Sequence, residues 1–213
     1  GLGDVYKRQN NWSNQESARR SGFDAEIVEL SNLRGDMQMK SIFKPIVPDA
    51  SIADLRMHWD ANRVMFTTLM GENDKRWNVY EVKLDGTGCK KLIENEEPDL
   101  EFYDGTYLPD GRIIANSNIG YQGVPCVSGD DPVGNMVLYT PEQKNLRRLT
   151  FDQDANWNPV VMNNGRVMYT RWEYTDLTHY YSRIVMHMNP DGTENKALYG
   201  SGSMFPNLSL IHI

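Results

Sequence analysis

The sequence lacks most of the features that identify haem proteins, membrane proteins and nucleic-acid-binding proteins. Its 213 residues include two cysteines, Cys89 and Cys126, so the Cys-x-x-Cys-His pattern that attaches a c-type haem does not occur. No apolar run approaches the roughly 20 residues of a membrane-spanning helix. The net charge is −7, and the basic residues form no run longer than a pair such as Arg147 and Arg148. An acidic surface repels phosphate backbones, so nucleic-acid binding is not expected.

Both ends of the chain read as translated adapter rather than native protein. Residues 1–9 match, codon for codon, a transposon adapter used to prepare sequencing libraries, and residues 208–213 match part of its reverse complement. Segments of this kind are excluded from arguments about the fold. We therefore expect residues 10–207 to be an internal fragment of a longer protein from a metagenomic assembly, and we assign no role to His212.

A turn of the Asp/Asn-Gly-Arg type, followed by a short apolar run, occurs three times. The copies lie at 60–67, 110–116 and 164–170. Their arginines, Arg63, Arg112 and Arg166, are separated by 49 and 54 residues. Repeats of about 50 residues that contain only strands and tight turns are typical of β-propeller blades.

A second hairpin pattern follows each of these turns. Apolar runs flank an Asp-Gly turn within 78–93 and 184–199, and they flank Thr140-Pro141-Glu142 in the middle copy. Each repeat therefore predicts four strands, named a to d, with strand a before the Gly-Arg turn and strands c and d around the second turn. The prediction is an all-β, partial β-propeller of four-stranded blades. Its predicted divisions are 10–51 (end of a preceding blade and linker), 52–94, 95–150 and 151–199 (complete blades), and 200–207 (start of the next blade).

The repeats resemble those of TolB-type, PD40 propellers, which are WD40-like, and Leu-Pro-Asp-Gly-Arg at 108–112 is the clearest copy. Further strings are similar to the propeller of hydrazine synthase alpha-subunit-like proteins. They lie at 121–126, 151–154, 163–176 and 187–193, and Arg-Trp-Glu-Tyr-Thr-Asp within the third of them is the most specific. The resemblance covers about 52–207.

This resemblance implies a secreted or periplasmic, multidomain protein, and it does not imply hydrazine synthesis. Two functions stay open, so the sequence leaves undecided whether the protein is an enzyme. The favoured one is a non-catalytic binding or scaffold domain. The alternative is the propeller module of a metal- or haem-dependent oxidoreductase whose catalytic domain lies outside this segment. No cofactor motif is evident in the chain, so under the alternative a haem or metal would belong to the full-length protein.

The blade geometry predicts that the candidate binding residues share one face of the propeller. The d-to-a and b-to-c connections lie on that face, and the hairpin turns lie on the other. We call it the long-loop face, because it carries the long connections 121–131 and 171–181. Binding residues concentrate on loops that a rigid scaffold holds. The ligand-binding candidates are Arg171, Glu173, Asp176, His179, Tyr180, Asp152 and Asp154. We expect them to face an unidentified protein or small-molecule partner.

The charged candidates also have structural interpretations. Arg171 and Glu173 could contact a ligand, since Arg grips a carboxylate through two hydrogen bonds, or they could pair with backbone and hold the loop in shape. His179 could lie beside a metal. Asp152 and Asp154 could bind calcium, or they could accept hydrogen bonds from turn amides.

The cysteines and aromatic residues leave similar alternatives. Cys126 could be a zinc ligand or a buried structural thiol. The blade geometry places Cys89 and Cys126 too far apart for a disulfide, so two free thiols are expected.

Four aromatic residues could line a pocket or fill the space between blades; they are Trp172, Tyr174, Tyr180 and Tyr181. His58 and His187 lie beside or within predicted strands, and we interpret both as structural.

Overall fold

The computed structural model describes residues 20–71, 76–124, 132–172 and 183–201, and their regular secondary structure is almost entirely β-strand. The strands are β1 (Ile27–Ser31), β2 (Gln38–Phe43), β3 (Ile52–Met57), β4 (Arg63–Thr68), β5 (Asn78–Lys83), β6 (Lys90–Lys91), β7 (Phe102–Tyr107), β8 (Ile113–Ser117), β9 (Asn135–Thr140), β10 (Asn145–Arg148), β11 (Asn156–Val161), β12 (Val167–Trp172), β13 (Arg183–Met188) and β14 (Lys196–Tyr199). A single turn of 3-10 helix, Pro141–Gln143, joins β9 to β10. Within these ranges, no helix has the length and apolar character needed to cross a bilayer.

Twelve of the strands form three consecutive four-stranded antiparallel sheets. Strands β3 to β6 form blade 1, β7 to β10 form blade 2, and β11 to β14 form blade 3, each in simple sequential order. Strands β1 and β2 form a two-stranded antiparallel sheet before blade 1. The predicted all-β propeller architecture, with three complete four-stranded blades, is confirmed. Residues 202–207, where a following blade was predicted to start, lie outside the described residues.

The Gly-Arg turns have the same local geometry in blades 2 and 3. The Oδ1 atom of Asp110 accepts a hydrogen bond from the backbone N–H of Arg112 at 3.1 Å, and that of Asn164 accepts one from Arg166 at 3.1 Å. Gly111 between Asp110 and Arg112 has a φ of 88°. A positive φ of this kind places Cβ close to backbone atoms, so glycine is favoured at this position.

The blades bury their faces against each other. Met65 and Val79 of blade 1 form one buried cluster with Phe102 and Val137 of blade 2. Blades 2 and 3 form a second cluster, which includes Met136 and Tyr169. Because each sheet is apolar on the faces that meet its neighbours, stability comes from stacking the blades, as in other repeat proteins.

Gly105 in β7 of blade 2 packs directly against side chains of blade 1. A Cβ at this position would lie 2.5 Å from Sδ of Met65 and 3.1 Å from Cγ1 of Val79. We expect Gly105→Ala to lower the free energy of unfolding by about 1–3 kcal/mol, because the added methyl group overfills this contact. Chemical denaturation measures the change.

Met65 provides the control for this prediction. If the clash is the cause, Met65→Ala will cost less in the Gly105→Ala background than in the wild type, because shortening Met65 makes room for the new methyl group. Strictly additive costs would contradict the overpacking explanation.

Candidate functional site

The long-loop face brings together two of the predicted residues, Arg171 and Asp152. Arg171 lies near the end of β12, and Asp152 lies in the connection from β10 to β11. Nη1 of Arg171 is 2.9 Å from Oδ1 of Asp152, and the two side chains are 24% and 13% exposed. The pair therefore joins the root of the long connection after β12 to the connection that enters blade 3. This contact supports the structural interpretation of both residues.

Two asparagines tie Asp152 further into the fold. Nδ2 of Asn156 donates to Oδ2 of Asp152 at 3.2 Å, and Nδ2 of Asn135 donates to the Asp152 carbonyl at 3.3 Å. Asn135 begins β9, so the b-to-c connection of blade 2 meets the d-to-a connection of blade 3, as the blade geometry predicts. Asp154 is buried, at 5% exposure. Its side chain is therefore withdrawn from the solvent-facing surface.

The remaining predicted binding residues lie outside the described residues. These are Glu173, Asp176, His179 and Tyr180, together with Cys126, Tyr174 and Tyr181. Their roles stay predictions.

An apolar cluster packs the roots of the two long connections together. Val124, Val133 and Trp172 are buried in one cluster, with Trp157 packed against it. We call these four residues the loop platform. Val124 and Val133 lie on the two sides of the long connection of blade 2, and Trp172 precedes that of blade 3. The residues that flank the long connections of two neighbouring blades are therefore packed in one cluster.

Arg183, the first residue of β13 after the long connection of blade 3, packs on the loop platform. Its guanidinium carbon lies 5.2 Å from the ring centroid of Trp157 and 5.4 Å from that of Trp172. Arginine at this distance from an indole ring makes a favourable cation–π contact. Both ends of the blade 3 connection are thus anchored to the same pair of indoles.

Two exposed aromatic side chains and an arginine form a patch on the same face. Tyr121 is 65% exposed and Phe151 is 72% exposed. The guanidinium carbon of Arg148 lies 4.7 Å from the Phe151 ring centroid. Gly120, the neighbour of Tyr121, packs so closely that a Cβ there would lie 3.2 Å from Nη2 of Arg148. We call Tyr121, Arg148 and Phe151 the aromatic–arginine patch.

Hydrogen bonds hold Arg148 in place within this patch. Its Nη2 donates to Oδ1 of Asn135 at 2.7 Å, and its Nε donates to the Thr150 carbonyl at 2.8 Å. A long side chain that is already ordered loses little conformational entropy when a partner binds. The Arg148 guanidinium is therefore ordered before any partner binds.

The inner strands of the three blades carry a second polar set, which the sequence did not single out. Asp54 in β3, Asp104 in β7 and Asn158 in β11 have φ values of 58°, 52° and 53°. Each lies where the pairing of strand a with strand b shifts register. Asp and Asn adopt this left-handed backbone more readily than other non-glycine residues. We call these three residues the inner-strand row.

Hydrogen bonds along the inner-strand row link one blade to the next. The backbone N–H of Asp104 donates to Oδ2 of Asp54 at 3.0 Å. The backbone N–H of Asn158 donates in turn to Oδ2 of Asp104, which also accepts from Nδ2 of Asn116 at 3.2 Å. The row therefore serves as a chain of acceptors that fixes each inner strand against the preceding one.

The row is also electrostatically unusual. Burial, together with the negative charge of Asp104, raises the pKa of Asp54 to about 7. Burial likewise raises the pKa of Asp104, and the positive charge of Arg56 opposes that change. Nη2 of Arg56 lies 3.6 Å from Oδ1 of Asp104. The positive charge of Arg56 thus opposes the rise in pKa of both carboxyl groups.

A signal for this row is present in the sequence. Asp54 precedes Arg63 by nine residues, and Asp104 and Asn158 precede Arg112 and Arg166 by eight. An alignment of the three repeats on their Gly-Arg turns places these three polar residues in one column. Blade 1 is offset by one residue, because its turn is one residue longer.

The two histidines make contacts of a structural kind. The His58 ring lies edge-on to Tyr107, with centroids 4.6 Å apart. Nδ1 of His187 accepts a hydrogen bond from Nε of Arg166 at 2.6 Å, and burial lowers the pKa of His187. Both contacts support the structural interpretation of these side chains.

The donor set for a metal or haem does not assemble in the described part of the chain. Cys89 is an exposed free thiol directly before β6, and partial burial raises its pKa. Within the described ranges, no three His, Cys, Asp or Glu side chains converge on one point.

Comparison with known proteins identifies the fold. No family model matches the sequence, and no curated protein matches it. Among solved structures, hydrazine synthase from Kuenenia stuttgartiensis is similar with a TM-score of 0.63 and 11% identity, over 79% of this chain and 28% of that one. A putative TolB from Agrobacterium tumefaciens has a TM-score of 0.55 and 16% identity, over 82% and 60%. TolB from Acinetobacter baumannii has 0.53 and 15%, over 82% and 41%.

These similarities show a TolB-like β-propeller fold. The identities are too low to show the family to which the chain belongs. The chain spans 28%, 60% and 41% of the three matched chains.

Proposed function

We propose that these blades form a binding domain of a hydrazine synthase alpha-subunit-like, extracytoplasmic protein, whose partner docks on the long-loop face. The observation that carries the proposal is the loop platform. By packing Val124 and Val133 against Trp172, it turns the roots of two long loops into one rigid base. Rigid bases with long loops are the usual arrangement of binding surfaces on β-scaffolds.

The aromatic–arginine patch supports the same proposal. Tyrosine and arginine are enriched among the residues that contribute most to protein–protein affinity. Tyr121 and Phe151 are 65% and 72% exposed, while Arg148, which lies over the Phe151 ring, is held by two hydrogen bonds. The patch therefore offers apolar area and a directed cation at low entropic cost.

Within this proposal, the predicted site residues divide into two groups. Arg171 and Asp152 pair with each other at 2.9 Å and hold the base of the loop. Glu173, Asp176, His179 and Tyr180 follow Arg171 along the same connection. We propose that they extend the docking surface beyond the aromatic–arginine patch.

The alternative, a module of a metal- or haem-dependent oxidoreductase, has less support. The chain contains no Cys-x-x-Cys-His, and the described His, Cys, Asp and Glu side chains form no set of three. In the ranges that the structure describes, the side chains supply no donor set for either group and support no catalytic step through a metal or a haem. An extracytoplasmic location rests on the sequence resemblance.

Site-specific photocrosslinking tests the docking surface in cells that produce the full protein. A benzophenone amino acid replaces Tyr121 or Phe151 in turn. We expect each position to yield a discrete crosslinked species, because both side chains lie in the proposed interface. Mass spectrometry then identifies what was crosslinked.

Trp59 is the matched control, since it is 59% exposed and lies in the a-to-b turn of blade 1, on the opposite face. The proposal predicts that a benzophenone at Trp59 does not give the same species. Equal crosslinking from all three positions, or a discrete species from Trp59 alone, would overturn the assignment of the long-loop face.

A further inference from the structure

In the interface between blades 1 and 2, the backbone N–H of Asp104 donates a hydrogen bond to the side-chain carboxyl group of Asp54. We propose that the Asp54–Asp104 pair makes this interface pH-sensitive, so that the two blades hold together more tightly at about pH 5 than at about pH 8. This pH sensitivity belongs to the scaffold and is independent of the partner proposed above.

The positions of Asp54 and Asp104 expose each carboxylate to the negative charge of the other. The backbone N–H of Asp104 is 3.0 Å from Oδ2 of Asp54, so the residue that carries one carboxyl group is bonded directly to the other. Asp104 is only 3% exposed. Its Oδ1 is buried without a hydrogen bond in the described part of the chain. Because Asp104 is buried and Asp54 is half-buried, two ionised carboxylates repel each other more strongly here than they would in bulk water.

The surrounding strands supply one compensating charge. From β3, Arg56 lies with Nη2 3.6 Å from Oδ1 of Asp104. Strand β4 contributes only the hydroxyl of Thr67, 3.3 Å from the Asp104 nitrogen. Strand β8 contributes the Asn116 amide, and β11 contributes the Asn158 backbone N–H. Among the described residues, the charged groups that act on the pair are the two aspartates themselves and Arg56.

The third member of the inner-strand row shows that the left-handed backbone at this position does not require a negative charge. Asn158 adopts it, with a φ of 53°, at the same place in blade 3. An amide oxygen can also accept a hydrogen bond, which makes asparagine a suitable replacement for either aspartate.

The sign of the pH effect follows from the direction of the shift. The pKa of Asp54 rises from 3.8 to about 7 on folding, so the folded state binds the proton more tightly than the unfolded state. The resulting stabilisation is complete below about pH 3.8 and is lost as the pH rises through about 7. Between pH 5 and pH 8, a shift of this size lowers the folding equilibrium constant about a hundredfold.

Asp54→Asn tests the proposal in the full chain. Denaturant unfolding at pH 5 and pH 8 gives the folding equilibrium constants of the variant and the wild type. We expect the ratio of variant to wild type to rise about a hundredfold from pH 5 to pH 8, because the amide does not ionise. A ratio that is the same at both pH values would overturn the proposal.

Asp110→Asn is the matched control. Asp110 is an exposed turn residue whose pKa is lowered by its hydrogen bond and ion pair with Arg112, so its ionisation does not change between pH 5 and pH 8. The ratio for this variant should stay constant across that range. A rise equal to that of Asp54→Asn would mean that the effect is one of net charge, and the proposal would fall.

A direct titration covers the case in which Asp54→Asn does not fold. In the wild type, the side-chain carboxyl carbon of Asp54, followed by NMR, should titrate near neutral pH. In Asp104→Asn the titration should move to lower pH, because the neighbouring negative charge is gone. A midpoint near 4 in the wild type would contradict the proposal.

Discussion

Replacing Trp172 with alanine is expected to lower the free energy of unfolding by about 3–5 kcal/mol. Trp172 is fully buried in the loop platform, where it packs with Val124 and Val133. Its removal leaves a cavity beneath both long loops and removes one of the two rings that contact Arg183. Thermal or denaturant unfolding measures the loss, and crosslinking from Tyr121 should fall with it, because the loops lose their common base.

Trp59→Ala is the control for this large effect. Trp59 is 59% exposed, and exposed substitutions usually change stability by less than about 0.5 kcal/mol. Equal costs for the two tryptophans would show that Trp172 does not support the loops in the way we infer.

The second large effect is expected for Asp104→Ala, at about 2–4 kcal/mol. Alanine removes the acceptor for the Asn158 backbone N–H and for Nδ2 of Asn116, and Asn116 is fully buried, so its amide loses that bond without access to water. It also removes the carboxylate that faces Arg56. Denaturant unfolding at about pH 5, where repulsion from Asp54 is small, isolates this loss.

Asp104→Asn separates the acceptor from the charge. The amide keeps an oxygen in place, so the variant should lose less than about 1 kcal/mol at the same pH. Asp99→Ala, at an exposed position before β7, should be close to neutral. If Asp104→Asn proved as costly as Asp104→Ala, the charge rather than the hydrogen bonds would hold the row.

The blades were predictable because their signals are local. Asp110-Gly111-Arg112 needs only its own residues to form a turn, since Gly111 accepts the positive φ and Asp110 bonds the backbone two residues later. Apolar runs beside such turns pair with each other without help from distant residues. Ala61, with a φ of 55°, shows that blade 1 reaches a positive φ in this turn without a glycine, although its turn is one residue longer.

The candidate site was predictable only in outline. The order of strands a to d places the two kinds of connection on one face, so the meeting of Arg171 with Asp152 follows from topology. That the two residues neutralise each other at 2.9 Å does not follow from it. The choice between binding a ligand and holding a loop depends on side-chain geometry, which one sequence does not contain.

The sequence by itself determined the repeat, the strand order and the turn chemistry, because each depends on residues close together along the chain. The tertiary structure alone decided which residues face solvent and which face another blade. Tyr121 and Phe151 are exposed, whereas Trp172 is buried, although all three lie beside loops in the sequence. It also joined Asp54 to Asp104 across 50 residues, since the low dielectric of an inter-blade contact arises only once two blades have stacked.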